Sequence, residues 1–209
     1  VQNINVEVTA DPVFRLENAE LREDKKNLIA ELPRPLMFCS LRNWSFRGKS
    51  EYTEQAIVDA LNAFHETTGG SVLFISFDSG QVVDELSDDS ALIERISHQL
   101  TQIPHYAIEE YILPAEASAW IAQCDIALCM RLHPVVLSIK NRIPIVGLIY
   151  DNKVLSILKE CGLEKYAVDL EGISAQAISE KLRTVMEHRN DIEKTLESIS
   201  SDMAVRAGK

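Results

Sequence analysis

The chain has 209 residues, 46% of them hydrophobic and 25% charged, with a formal net charge of −11. That length and apolar fraction suit a single globular domain with a full core. An acidic chain lacks the basic surface that nonspecific nucleic-acid binding requires, so nucleic acid is not an expected partner, and an anionic ligand would need a local basic pocket.

Residues 3–9 alternate polar and apolar, as a short strand does, and with no initial Met they suggest a chain that begins mid-protein. Residues 11–34 read as a linker with one or two helical turns, closing on Pro33 and Pro35. Leu36 to Leu41 is then a short apolar run of the kind a buried parallel strand shows. Lys49 to Thr67 carries Ala56, Ile57, Ala60, Leu61 and Phe64 on one helical face, and Gly69-Gly70 ends it. A strand over Ser71 to Phe77 follows, then an acidic run, Asp84 to Asp89, which reads as a solvated face. Asp88 to Gln102 has helical spacing, Tyr106 to Leu113 holds a short strand, and Ala115 to Gln123 is a brief helix.

The most informative stretch comes next. Cys124 to Met130 is an apolar strand that ends in Arg131-Leu132-His133-Pro134, followed by a helix from about Pro134 to Asn141 and a second buried strand over Arg142 to Tyr150. Asn152 to Cys161 is a helix closed by Gly162, Ala167 to Leu170 is an edge strand, and Ser174 to Met186 and Asp191 to Ala204 are terminal helices. This alternation predicts an α/β fold, a Rossmann-like parallel sheet with helices on both faces. Its segments are a strand and linker from an upstream domain (1–34), a donor-binding domain (35–188) and a C-terminal helix (189–209).

Cys39, Cys124, Cys129 and Cys161 sit in apolar surroundings without metal-ligand spacing, so buried reduced thiols and no metal are expected. No signal peptide and no apolar run of about 18 residues is present, which points to a cytoplasmic setting without a transmembrane segment, while peripheral contact with a membrane stays compatible with it. Dinucleotide, P-loop and nucleophile-elbow motifs are all absent.

In an open parallel sheet, ligands bind at the carboxyl ends of the strands. Arg131 and His133 stand at such an end, Arg42 follows the first strand, and Lys153 follows the strand that closes on Tyr150. A guanidinium matches carboxylate or phosphate oxygens, and an imidazole can carry a proton near neutral pH. The competing reading is structural: Arg131 pairs with a nearby acid, His133 caps a helix, Arg42 belongs with Asn43, Trp44 and Arg47 to a loop capping the sheet, and Lys153 merely sits in the first turn of its helix. Asp78 and Asp125 are weaker acid–base candidates. Trp44 and Trp120 read as core or rim, and His65, His98, His105 and His188 as surface or satisfied residues.

Met130-Arg131-Leu132-His133, the following helix, the Pro144-containing strand and Tyr150-Asp151-Asn152-Lys153-Val154 resemble the C-terminal half of the polysaccharide pyruvyl transferases. Ala10 to Phe14, Ser40 to Asn43 and Ile75 to Asp78 fit the same family in the same order, so the likeness spans residues 9–170. Pro134 and the Cys129-Met130 pair depart from its usual small residues. The resemblance implies one half of a glycosyltransferase-B-like architecture that transfers pyruvate from phosphoenolpyruvate to two sugar hydroxyls as a ketal. The implied partners are phosphoenolpyruvate as donor substrate, with no separate cofactor, and a saccharide or lipid-linked glycan acceptor. Arg131 and His133 would be catalytic, and Arg42, Arg131, His133 and Lys153 would bind substrate. A nucleotide-sugar half-domain and a catalytically silent binding domain are the alternatives. With the acceptor side of the cleft outside it, the chain alone is expected to fold but to be nearly inactive.

Overall fold

A computed structural model describes residues 7, 9–42, 50–78, 89–108 and 110–209. The expected strand over residues 3–9 falls almost entirely outside them, as do Asn43, Trp44, Arg47 and residues 84–88 of the acidic run.

Six strands, β1 (Leu36–Ser40), β2 (Ser71–Ile75), β3 (His105–Ile108), β4 (Ile126–Cys129), β5 (Ile145–Ile149) and β6 (Ala167–Asp169), form one sheet in the order β3-β2-β1-β4-β5-β6. Every neighbouring pair is parallel. The helices are α1 (Glu23–Glu31), α2 (Ser50–Thr68), α3 (Asp89–Gln99), α4 (Pro114–Ile121), α5 (Leu132–Lys140), α6 (Asn152–Glu160), α7 (Ala175–Glu187) and α8 (Arg189–Arg206). From β1 the chain steps outward one way through β2 and β3, and from β4 the other way through β5 and β6. Right-handed crossovers then place α2 and α3 on one face and α5 and α6 on the other. Both faces being covered explains why β1, β2, β4 and β5 are buried along their whole length and read as unbroken apolar runs.

Parallel strands cannot be joined by a tight turn, and the sequence supplies helices with stops between them. Gly162, at φ +66°, ends α6 in the left-handed conformation that costs a glycine little. Ser174 and Asp151 open α7 and α6 by accepting the backbone N–H of Ala177 and Lys153. Gly147 lets α6 approach β5 closely, since a Cβ there would lie 2.6 Å from Leu158 Cδ1.

The core is continuous. Phe14 and Ile29 from the linker and Ile192, Leu196 and Met203 from α8 join the cluster built on the strands. Half-buried Lys140 donates to Asn18 Oδ1 at 2.5 Å and to Ser118 Oγ at 3.0 Å, which ties the linker to α4 and α5, and its partial burial lowers its pKa. Trp120 is a core residue, 1% exposed and stacked on Tyr106. All four cysteines are buried free thiols, and burial raises their pKa, that of Cys161 to about 12.

Candidate functional site

The strand order reverses between β1 and β4, and at this switch point the loops leaving the two strands diverge and open a crevice. Met130 N donates to Ser40 O at 2.9 Å, so the ladder holds to the last residue before the loops separate. Leu41-Arg42 leaves β1, Arg131 leaves β4 as the N-cap of α5, Ser76-Phe77-Asp78 leaves β2, and Tyr150-Asp151 leaves β5. The four residues singled out in the sequence meet here. Arg42, Arg131, His133 and Lys153, with Phe77, Leu132, Pro134, Tyr150, Asp151 and Val154, line one hollow of about 280 Å³.

Arg131 is largely withdrawn from solvent. Its side chain is 18% exposed, with Nε 2.6 Å from Asp89 Oδ2 and Nη2 donating to Asp89 Oδ1 at 2.7 Å and to Asp78 Oδ2 at 3.2 Å. Burial acts to lower the guanidinium pKa, but the hydrogen bond and charge of Asp89, with those of Asp78, prevail and hold it above its ordinary value. Asp89 is completely buried and opens α3, so it is no part of a solvated acidic face. Arg131 therefore meets both readings at once: it lines the hollow, and it is the counter-ion of a buried acid.

Arg42 donates to Tyr150 Oη at 2.9 Å and lies with its guanidinium carbon 5.3 Å from the Tyr150 ring centroid. This bridges the ends of β1 and β5 across β4 and holds the fork at the hollow. His133, in the first turn of α5, has a side chain 64% exposed, and its Nε2 lies 4.0 Å from Asp11 Oδ2. The helix begins two residues earlier than Pro134, so Arg131 rather than His133 is the cap. Lys153 is exposed in the first turn of α6, where the Asp151 carboxylate fixes its backbone N–H and offsets the repulsion a helix amino end imposes on a cation.

The other candidates lie elsewhere or are satisfied. Asp125 sits at the opposite edge of the sheet, accepting from Leu36 N and paired with Arg34 and Arg189, each at 2.8 Å. Burial acts to raise its pKa, but the Leu36 N–H and the two arginines outweigh it and hold the carboxyl below its ordinary value. His65 Nδ1 and His105 Nδ1 meet the Gly70 and Ile103 carbonyls. Asp89, Tyr150 and Asp11 were missed as site residues. The usable signals were an acid placed to open an amphipathic helix, for Asp89, and membership of the family-like segments, for Tyr150 and Asp11.

A parallel six-stranded sheet with its crevice at the strand reversal defines the class, a Rossmann-like domain of the glycosyltransferase-B-like kind. Similar solved structures include a Listeria monocytogenes UDP-N-acetylglucosamine 2-epimerase described as putative (TM-score 0.61, 10% identity, 91% of this chain and 47% of that one). The S. aureus MnaA–UDP complex (0.60, 8%, 91% and 47%) and the Methanocaldococcus jannaschii UDP-GlcNAc 2-epimerase (0.59, 11%, 85% and 47%) share the same likeness. At these identities the likeness is one of fold, and the chain spans about half the length of each.

Residues 1–152 match the polysaccharide pyruvyl transferase family, and the chain belongs to it. It is also 28% identical over 78 residues to the amylovoran biosynthesis protein AmsJ of Erwinia amylovora, a stretch covering 37% of this chain and 19% of AmsJ. Among the described residues no helix is long and apolar enough to cross a membrane.

Proposed function

We propose that this chain is the donor-binding part of a ketal-forming pyruvyl transferase and that the hollow at the β1/β4 crevice seats phosphoenolpyruvate. The observation that carries the reading is the convergence of Arg42, Arg131, His133 and Lys153 on one small hollow in a member of this family. Its volume, about 280 Å³, falls just under the range of roughly 300–1,000 Å³ usual for drug-sized ligands and suits a three-carbon acid bearing one phosphate.

Because Arg131 already faces two carboxylates, the donor's anionic ends fall mainly to the other groups. Arg42, held against Tyr150, grips the carboxylate through its fork. Lys153 meets the phosphate as a point charge, with the backbone amides at the amino end of α5 beside it. In the reaction C3 of the enol takes a proton, C2 becomes cationic, one sugar hydroxyl adds there and loses its proton, and the second hydroxyl replaces the phosphate at C2, its proton leaving with the departing phosphate. His133, exposed and within 4.0 Å of Asp11, supplies the proton to C3 or a hydrogen bond to the leaving phosphate.

Calorimetric titration with phosphoenolpyruvate and with UDP-N-acetylglucosamine tests this. Binding of the former alone, weakened by Arg42→Ala and Lys153→Ala, is the expected result. A clear preference for the nucleotide sugar would overturn it in favour of a nucleotide-sugar half-domain. Mass spectrometry of the product formed by the full-length protein with phosphoenolpyruvate and candidate glycans then tests ketal transfer.

A further inference from the structure

A second hollow of about 420 Å³ adjoins the first along the same carboxyl edge, and the two share Phe77 and His133 as their common wall. The charge on the two sides of that wall is opposite. The first holds Arg42 and Lys153, while the second is lined by Asp78 and Glu110 with Tyr111, Ile112 and Pro114 of the segment between β3 and α4. Tyr111 is 73% exposed, a large ring left outside the core at the mouth of a concave surface.

We infer that this second hollow is a subsite for one neutral hexopyranose ring of the acceptor glycan, which the rest of the acceptor side, outside this chain, would hold from across the cleft. The inference rests on the donor reading above, because it takes its orientation from the shared wall. Carboxylates and an exposed aromatic ring are an unsuitable lining for a phosphate or a second carboxylate, since like charge repels and, among the described residues, no lysine or arginine lines this hollow. They suit a polyol with one apolar face. Its C–H face packs on the Tyr111 ring, and its hydroxyls donate to the Glu110 and Asp78 oxygens. Glu110 is exposed and is 3.2 Å from Lys25 Nζ, which fixes the carboxylate at the edge of the hollow and leaves it lone pairs for hydroxyl donors. Asp78, 35% exposed, is held by Arg131 in the same way. A hexose lying there would present hydroxyls across Phe77 and His133 to a donor in the first hollow, so the acidic side also discourages phosphoenolpyruvate from entering the wrong hollow.

The test uses ligand-observed NMR on this chain, saturated with phosphoenolpyruvate, with methyl galactoside, glucoside, mannoside and N-acetylglucosaminide as probes. At least one probe should show contact, weakened about threefold to tenfold by Tyr111→Ala, as loss of one aromatic packing partner predicts. Glu110→Gln should weaken it as well, and Tyr111→Phe, which keeps the ring, should retain it. Phosphoenolpyruvate affinity, measured by calorimetry on the same variants, should stay unchanged. Tyr111 is exposed, so its variants are expected to keep the wild-type melting temperature. Phosphoenolpyruvate binding without any saccharide contact, or with contact that is indifferent to Tyr111→Ala, overturns the subsite and leaves the donor reading standing. Saccharide contact that depends on Tyr111, in a chain showing no phosphoenolpyruvate affinity, overturns the donor reading and leaves the subsite standing.

Discussion

Replacing Arg131 with Ala should damage the fold before it damages binding. The substitution strips Asp89, which has no solvent exposure, of the guanidinium that approaches both its oxygens, and strips Asp78 of one hydrogen bond. Removing one partner of a buried ion pair typically costs about 3–5 kcal/mol, because the remaining charge stays in a poor solvent. Arg131 keeps 18% and Asp78 35% side-chain exposure, so water partly compensates and about 2–4 kcal/mol is the expected loss here. For a chain of this size each kcal/mol moves Tm by roughly 2–4 °C, which gives a fall of about 5–15 °C. The deficit should also depend on pH. Loss of the Arg131 guanidinium raises the folded-state pKa of the Asp89 carboxyl, so folding of the variant is favoured while it is protonated, and that advantage is lost as pH rises through the folded value. Melting curves should therefore show the variant approaching wild type as pH falls from neutral toward the carboxylate range. Adding Asp89→Asn should restore part of the loss, and Arg131→Lys, with one ammonium for two oxygens, should recover part as well. A Tm fall under about 2 °C, or a deficit that does not shrink as pH is lowered, would refute the buried counter-ion role.

Arg42→Ala should lower phosphoenolpyruvate affinity about tenfold to a hundredfold, the worth of one charge-assisted bond, with Tm nearly unchanged; calorimetry and a melting curve on one sample check both. Asp125→Asn should reduce stability at neutral pH by about 1–3 kcal/mol. Because the wild-type carboxyl is held below its ordinary value, its contribution is present above roughly pH 4 and lost as pH falls through the lowered folded value, so the variant's acid unfolding limb should be shallower. Gly147→Ala should cost about 1–3 kcal/mol in thermal melts, since the added methyl meets fully buried Leu158, and an unchanged Tm would show that Leu158 repacks freely.

The sheet was legible because its physics is repetitive. A strand covered on both faces must be apolar throughout, and a crossover helix must show one apolar stripe, so β1, β2, β4, β5, α2 and α6 stand where the sequence pattern puts them, within a few residues. The miss there is local. Arg142 reads as the start of a strand, yet it turns at φ +62° after α5, and β5 begins only at Ile145. The stretch from Tyr106 to Leu113 does hold its short strand, at His105–Ile108, and Glu110, Tyr111 and Ile112 beyond it line the second hollow.

The placement of Arg42, Arg131, His133 and Lys153 followed from topology alone, because every parallel strand delivers its following residue to the same edge. Their partners did not, since burial of a charge is decided by what arrives from elsewhere in the chain. Asp89 looks like any member of an acidic run until α3 docks and encloses it beside Arg131. The same pairing alters what the site can be. An arginine facing two carboxylates brings no net positive charge to a ligand, whereas it does tie the loop after β4 to the loop after β2 and to the start of α3. The wall between the cationic and acidic hollows is built from those loops, at Phe77 and His133. Thus the residue most conspicuous in the sequence holds the partition in place, and the less conspicuous Arg42 and Lys153 carry the charge that an anionic donor meets.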